Sequence, residues 1–245
     1  MAAPHEQHLA GADRDRFPLT RWSLILDARG PGDEALTWLC GAYWYPLYAF
    51  ARRTGLPQPD AEDLTQSFFA HLIESDLLAQ ARRERGRLRS FLLRAFRNFS
   101  TGEWRKRGAQ KRGGKQAPVD FDAFSAEERF ALEPRKEVTP ETEFERSWAR
   151  ELLRRTLAGL RAEYVESGKG NLFDVLKDQI TEASLSASYQ DLAEELGTTE
   201  GALRVASFKL RQRYRVLLRQ SVADTVAHAG EVDEEMDHLR LLFGG

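Results

Sequence analysis

The chain has one cysteine and two methionines in 245 residues, and no apolar run near the 18 or so residues that cross a membrane. A single thiol, Cys40, excludes an internal disulfide. It shares an apolar helical stripe with Leu36, Leu39, Tyr43 and Leu47, where a free cysteine serves as a small core hydrophobe. The first thirty residues lack the continuous apolar stretch of a signal peptide, so a soluble, cytoplasmic protein is expected. No segment alternates apolar and polar residues as a half-buried strand would, and there is no internal repeat.

Enzyme signatures are missing too. His5 and His8 flank Glu6 and Gln7, one residue short of the spacing that puts two metal-binding histidines on one helix face. His71, His228 and His238 are far apart and have no cysteine ligands beside them. Between Gly108 and Lys115, Gly114 stands where a phosphate loop needs lysine, and no strand precedes it. No nucleophile elbow is present, so no catalytic residue, metal or cofactor is expected.

Net charge is also nearly absent: 36 basic residues against 38 acidic ones leave -2. The distribution is uneven. Residues 82–115 carry 13 basic and 2 acidic side chains, and residues 204–219 carry 6 basic and none acidic. These two blocks, at +11 and +6, leave -19 for the rest of the chain. Near-neutrality therefore conceals two cationic segments in an acidic protein, which is the footprint of contact with a polyanion.

Helical periodicity organises the rest, and the fold class is all-α. Residues 1–16 form a polar tail expected to be disordered. A first helical domain spans 17–107. Its helices run from Asp33 to Arg53, with Pro46 expected to kink the run; from Asp60, as N-cap, through Ile73; and from about Arg87 to Lys106. Periodicity fades over 108–138, which reads as a flexible linker. A second domain, 139–221, opens with Thr139 and Pro140 as a helix start. Shorter helices follow near 171–180, 189–196 and 200–221, and 222–245 is an acidic extension.

Ser188 to Leu203 carries the best-defined pattern. Ser188 starts a short helix packed through Leu192, Ala193 and Leu196, Gly197 supplies a tight turn, and Thr199 caps a second helix. Leu203, Leu210, Tyr214 and Leu217 face inward; Arg204, Val205, Phe208, Arg211 and Arg215 face outward, with Lys209 and Arg213 on the flanks. This is the layout of a helix-turn-helix, whose second helix enters the major groove, and equally that of an ordinary αα-hairpin. The absence of acid from the basic run favours the first, because a merely solvated helix mixes signs. In the other block, Arg94, Arg97, Asn98, Thr101 and Arg105 lie opposite a stripe of Phe91, Phe96 and Phe99, with Trp104 at its edge. Cations there can track phosphates while an aromatic stacks on an unpaired base. Asp60, Glu62 and Asp63 make an acidic helix start, and the helix dipole alone can account for Glu62 and Asp63.

In order, these motifs resemble a bacterial RNA polymerase sigma factor of the sigma-70 family, extracytoplasmic-function group. The run Asp60 to Gln66 is similar to the acidic motif of region 2.2, Arg89 to Asn98 and the basic residues after it to regions 2.3 and 2.4, and Tyr189 to Leu218 to region 4.2. The resemblance implies two helical domains, a region 2-like bundle and a region 4-like helix-turn-helix. It covers roughly 20–115 and 140–221. It also implies roles. Asp60, Glu62, Asp63 and Gln66 would bind core RNA polymerase. Arg94, Arg97, Asn98, Trp104, Arg105, Lys106 and Arg107 would hold the melted minus-ten element of promoter DNA. Thr199, Arg204, Phe208, Lys209, Arg211 and Arg213 would face the minus-thirty-five duplex. An anti-sigma factor is a further partner class open to such a protein. Two readings from other classes stand beside this one: a helix-turn-helix regulator acting without polymerase, and a protein-interaction module.

The chain departs from the family in a long Gly168 to Ser186 segment, in place of a compact region 4.1, and in its tail. Asp224, Glu231, Asp233, Glu234, Glu235 and Asp237 precede an apolar end of Leu239, Leu241, Leu242 and Phe243. Two outcomes are open for it: folding onto a cationic surface in competition with DNA, or a solvated helix packed on the second domain.

Overall fold

The computed structural model describes residues 34–75, 77–78, 87–109, 123–132, 138–181 and 188–243. Among them every regular element is helical, as the sequence periodicity requires. The helix α1 (Glu34–Arg53) runs through Pro46 and buries residues on nearly every side, from Leu36 and Tyr43 to Phe50. It can do so because α2 (Gln58–Glu74), α3 (Leu88–Ala109), α4 (Ala123–Leu132) and α5 (Pro140–Glu166) all pack around it. Cys40 is buried in this helix, and burial pushes its thiol up to about 11.

The start of α2 differs from expectation. Asp60 does not cap it; Pro57 occupies the N-cap position and Asp60 lies in the first turn. Pro59 explains the shift, since proline is accommodated in a first turn whose N–H groups have no helical acceptor. Thr139 does cap α5, accepting from the Thr142 N–H at 3.2 Å.

Beyond α5 come α6 (Gly170–Leu176), α7 (Asp178–Thr181), α8 (Tyr189–Glu195) and α9 (Glu200–Ala223). A 3-10 turn at Ala229–Glu231 then leads into α10 (Val232–Phe243). Two apolar cores result. In the first, Phe68 meets Phe96 edge-on at 5.2 Å and Phe69 at 5.5 Å, beneath α1. The second gathers Leu160, Phe173, Leu176, Tyr189, Ala193, Leu203 and Leu210.

The border between these cores does not fall at 108–138, the expected linker. That segment contains α4, whose Ala126 enters the first core and whose Glu127 receives a hydrogen bond from Arg52 at 2.8 Å and another from the Tyr48 hydroxyl. Residues 110–122 and 133–137 lie outside the described residues, as does the expected tail 1–16. Instead, α5 and α9 pass through both cores. Phe144, Trp148, Ala149 and Leu152 serve the first while Leu160 serves the second; Val222 serves the first while Leu203 and Leu210 serve the second. A helix of 27 residues is about 40 Å long, enough to reach both.

Two glutamates of α5 are buried. Glu143 pairs with Arg53 at 3.1 Å and Arg150 at 3.5 Å, and accepts from the Ser147 hydroxyl at 3.1 Å. Glu151 meets Arg154 at 2.5 Å, Arg155 at 3.0 Å and Arg129 at 3.3 Å. Burial alone would raise the Glu151 carboxyl, but the hydrogen bonds and charge of Arg154 and Arg155 outweigh it and hold it below 4.5. A carboxyl whose pKa falls on folding stabilises above its unfolded value and loses that contribution as pH drops through the folded one. Thermal melts of the wild type and Glu151→Gln should therefore differ by about 2 kcal/mol near neutrality. The difference should shrink steadily below about pH 4.5.

Candidate nucleic-acid interface

The helix-turn-helix is built by local hydrogen bonds. Ser188 caps α8 by accepting from the Asp191 N–H at 3.1 Å, and Thr199 caps α9 by accepting from the Ala202 N–H at 3.3 Å. Between them Gly197 adopts φ 62°, a conformation that suits glycine. Its N–H donates to the Glu194 carbonyl at 3.2 Å while the Thr198 N–H donates to Ala193 at 2.9 Å, closing the α8 C-terminus. A buried bond of 2.9 Å from the Tyr189 hydroxyl to the Ser207 hydroxyl then fixes α8 against α9.

The outward face of α9 is as the periodicity places it. Arg204, Val205, Phe208, Lys209, Arg213 and Arg215 are exposed, Phe208 at 57%, and Arg211 is half-buried. The charge is less uniform than the basic run implies. Glu200 holds Arg204 at 2.6 Å, Glu163 of α5 holds Arg213 at 2.6 Å, and Asp233 of α10 holds Arg219 at 2.6 Å. Arg204 also lies 4.8 Å over the Tyr189 ring. The hydrogen bond and charge from Arg213 keep the Glu163 carboxyl below its ordinary range. Among the described residues no ion pair engages Lys209, Arg211 or Arg215, so the positive potential concentrates on the middle of α9.

On α3, Arg94 and Asn98 are exposed. Arg97 is exposed too, but it pairs with Glu141 at the start of α5 and sits 5.7 Å over the Phe50 ring. A cleft of about 660 Å³ opens here, lined by Phe50, Leu64, Phe96, Arg97, Thr101 and Glu141 among others. Trp104, Arg105, Lys106 and Arg107 continue the α3 backbone, and their side chains lie outside the described residues. Arg89, in the same motif, is turned away from this face: it is 2% exposed, stacked 4.4 Å over Trp148 and bonded to Glu145 at 2.6 Å.

The acidic helix start on α2 is a separate surface. Asp63 is exposed and Asp60, Glu62 and Gln66 are half-buried. Gln58 donates to Glu62 at 2.9 Å. Among the described residues neither Glu62 nor Asp63 joins an ion pair, so their charge is available to an external cation.

Sequence reasoning missed the acids of α5 at 141, 145 and 163 that face the two cationic blocks, whereas contact of the tail acids at 233–235 with a cationic surface was one of the two outcomes it left open. The signal was present as acidic first turns at 141–143 and 233–235, which the helix dipole explains equally well.

No protein-family model, curated protein or solved structure matches this chain. Among the described residues no helix is long and apolar enough to cross a membrane.

Gly197→Ala tests the turn. A side chain forced into left-handed backbone costs about 1–2 kcal/mol, and nothing lies within 4 Å of the added Cβ to compound the strain. Equilibrium urea unfolding should register that loss, with amide protection falling in α8 and α9 and unchanged in α1.

Proposed function

We propose that this chain is a DNA-binding transcription initiation factor that acts through two basic helical faces. More narrowly, we propose a sigma factor of the extracytoplasmic-function group, working with bacterial RNA polymerase in the cytoplasm. The observation that carries the reading is the helix-turn-helix geometry of α8 and α9, with Lys209, Arg211 and Arg215 in no ion pair among the described residues. Glu62 and Asp63 of α2, which join no ion pair among the described residues, support a second, basic partner.

On this reading α9 lies in the major groove of the upstream duplex. Lys209, Arg211 and Arg213 contact phosphates or base edges, and Phe208 offers apolar contact to a thymine methyl. Thr199 presents the α9 N-terminus, whose free N–H groups favour a phosphate. Arg94, Arg97 and Asn98 meet the downstream element, with Trp104, Arg105, Lys106 and Arg107 extending that contact, and the cleft beside Arg97 is where an unpaired base would lodge. Asp60, Glu62, Asp63 and Gln66 dock core polymerase. Bond-making chemistry stays with the polymerase, and this chain supplies promoter choice and strand opening without an active site of its own. An anti-sigma factor would act by covering one of these faces.

Run-off transcription with bacterial core polymerase on a promoter library tests the proposal. Chain-dependent transcripts are expected; none, with no co-purification with core, would reject it. Binding to duplex without any association with polymerase would select the simple helix-turn-helix regulator instead.

Two substitution pairs separate the surfaces. Lys209→Ala with Arg211→Ala should flatten the log affinity against log salt slope for duplex by about 2, since each phosphate contact contributes roughly 0.9. Glu62→Gln with Asp63→Asn should reduce co-purification with core polymerase at least tenfold and leave duplex affinity within twofold of wild type.

A further inference from the structure

The tail helix α10 is built into the structure at an unusual point. Glu235 is 0% exposed, although it is a carboxylate in the first turn of a surface helix with acidic neighbours. Its oxygens meet Arg87 at 2.8 Å and the buried guanidinium of Arg89. Burying a charge is costly unless opposite charge is placed against it, so this contact is specific to the folded chain. Arg89 is in turn held by Glu145, which the His238 ring of α10 meets at 3.0 Å.

The same turn of α10 reaches the other cationic block. Asp233 pairs with Arg219 near the end of α9. Val222, Val226, Val232 and Leu239 carry this part of the chain into the first core, and the Leu88 N–H at the start of α3 donates to the Thr225 carbonyl at 3.4 Å. Arg87 and Arg89 belong to the block at 82–115 and Arg219 closes the block at 204–219. One acidic turn therefore joins the ends of both.

We propose that α10 is an internal latch, which fixes the α3 and α9 faces to each other in the free chain and withholds part of their charge from DNA. This rests on the DNA-facing reading of those helices given above. Of the two outcomes open for the tail, the geometry favours contact with cationic side chains, and with both blocks instead of one. DNA has to replace internal carboxylates by phosphates to gain Arg87 and Arg219, while the buried Arg89 anchors α10 and stays out of reach. The exposed pair Asp233–Arg219 exchanges readily, because such pairs contribute little in water. The buried Glu235 contact is the part that resists.

The test uses the full chain and two variants, Glu235→Gln and Asp233→Arg. Hydrogen exchange reports release of α10, and fluorescence anisotropy reports binding to a mixed-sequence 30-base-pair duplex and to the same duplex with an unpaired bubble. Glu235→Gln should lose amide protection in α10 and bind DNA at least tenfold more tightly at low salt, with a steeper salt slope. Asp233→Arg, a surface change that keeps the fold even if Glu235→Gln destabilises it, should bind several-fold more tightly. Affinities within twofold of wild type in both variants, whether or not α10 is released, would overturn the latch. Absence of DNA binding from the wild type and both variants, with α10 released, would reject the DNA-facing reading and this proposal with it.

Discussion

The packing of α5 against α1, with its side-chain contacts to arginines of α3, is the constraint on which the other arrangements depend. Its first turns place Glu141 and Glu145, one helical turn apart, toward Arg97 and Arg89 of α3, while Glu143 reaches Arg53 of α1. Phe144, Trp148 and Leu152 from the same helix complete the first core. The second half of α5 then supports the helix-turn-helix through Leu160 and through Glu163 on Arg213. One helix thus carries apolar surface into two cores and acids to both cationic blocks. A break in it would separate the cores as well as the charges.

Charge in this protein is consequently handled at two depths. Arg97–Glu141, Arg204–Glu200 and Arg213–Glu163 are exposed pairs, each contributing about 0.2–1 kcal/mol, and their carboxylates are exchangeable for other anions. Arg89 with Glu145 and Glu235, and Glu151 with Arg154 and Arg155, are partly or fully buried, and removing one partner leaves an uncompensated charge. On the proposed reading the exposed pairs are those a polyanion displaces, and the buried ones set the frame. The surplus of negative charge outside the basic blocks is then partly accounted for: several of those acids lie on the arginines.

Much of the fold was legible in the sequence because it depends on local rules. The boundaries of α1 and α3, the Thr139, Ser188 and Thr199 caps, the Gly197 turn and the outward face of α9 all follow from spacing and side-chain type. The start of α2 did not, because Pro59 let the helix begin before the acid that suggested a cap. Nor did α4, a helix of ten residues whose contacts to Tyr48 and Arg52 lie 75 or more positions away in sequence. Counting charge in windows failed for a related reason. The run from Arg204 to Arg219 is free of acid along the chain, yet Glu163, Glu200 and Asp233 supply acid to it in space.

On the proposed reading, the chain's own acids hold its two basic faces in one packing, which polymerase and DNA replace. Fluorophores on cysteines introduced at the exposed positions Ser90 of α3 and Gln190 of α8 measure it directly, since the buried Cys40 thiol, pushed up to about 11, stays unlabelled. Energy transfer between them should be high in the free chain and fall when core polymerase and promoter DNA are added together. Equal transfer in the free chain and in a transcriptionally active complex would contradict the account.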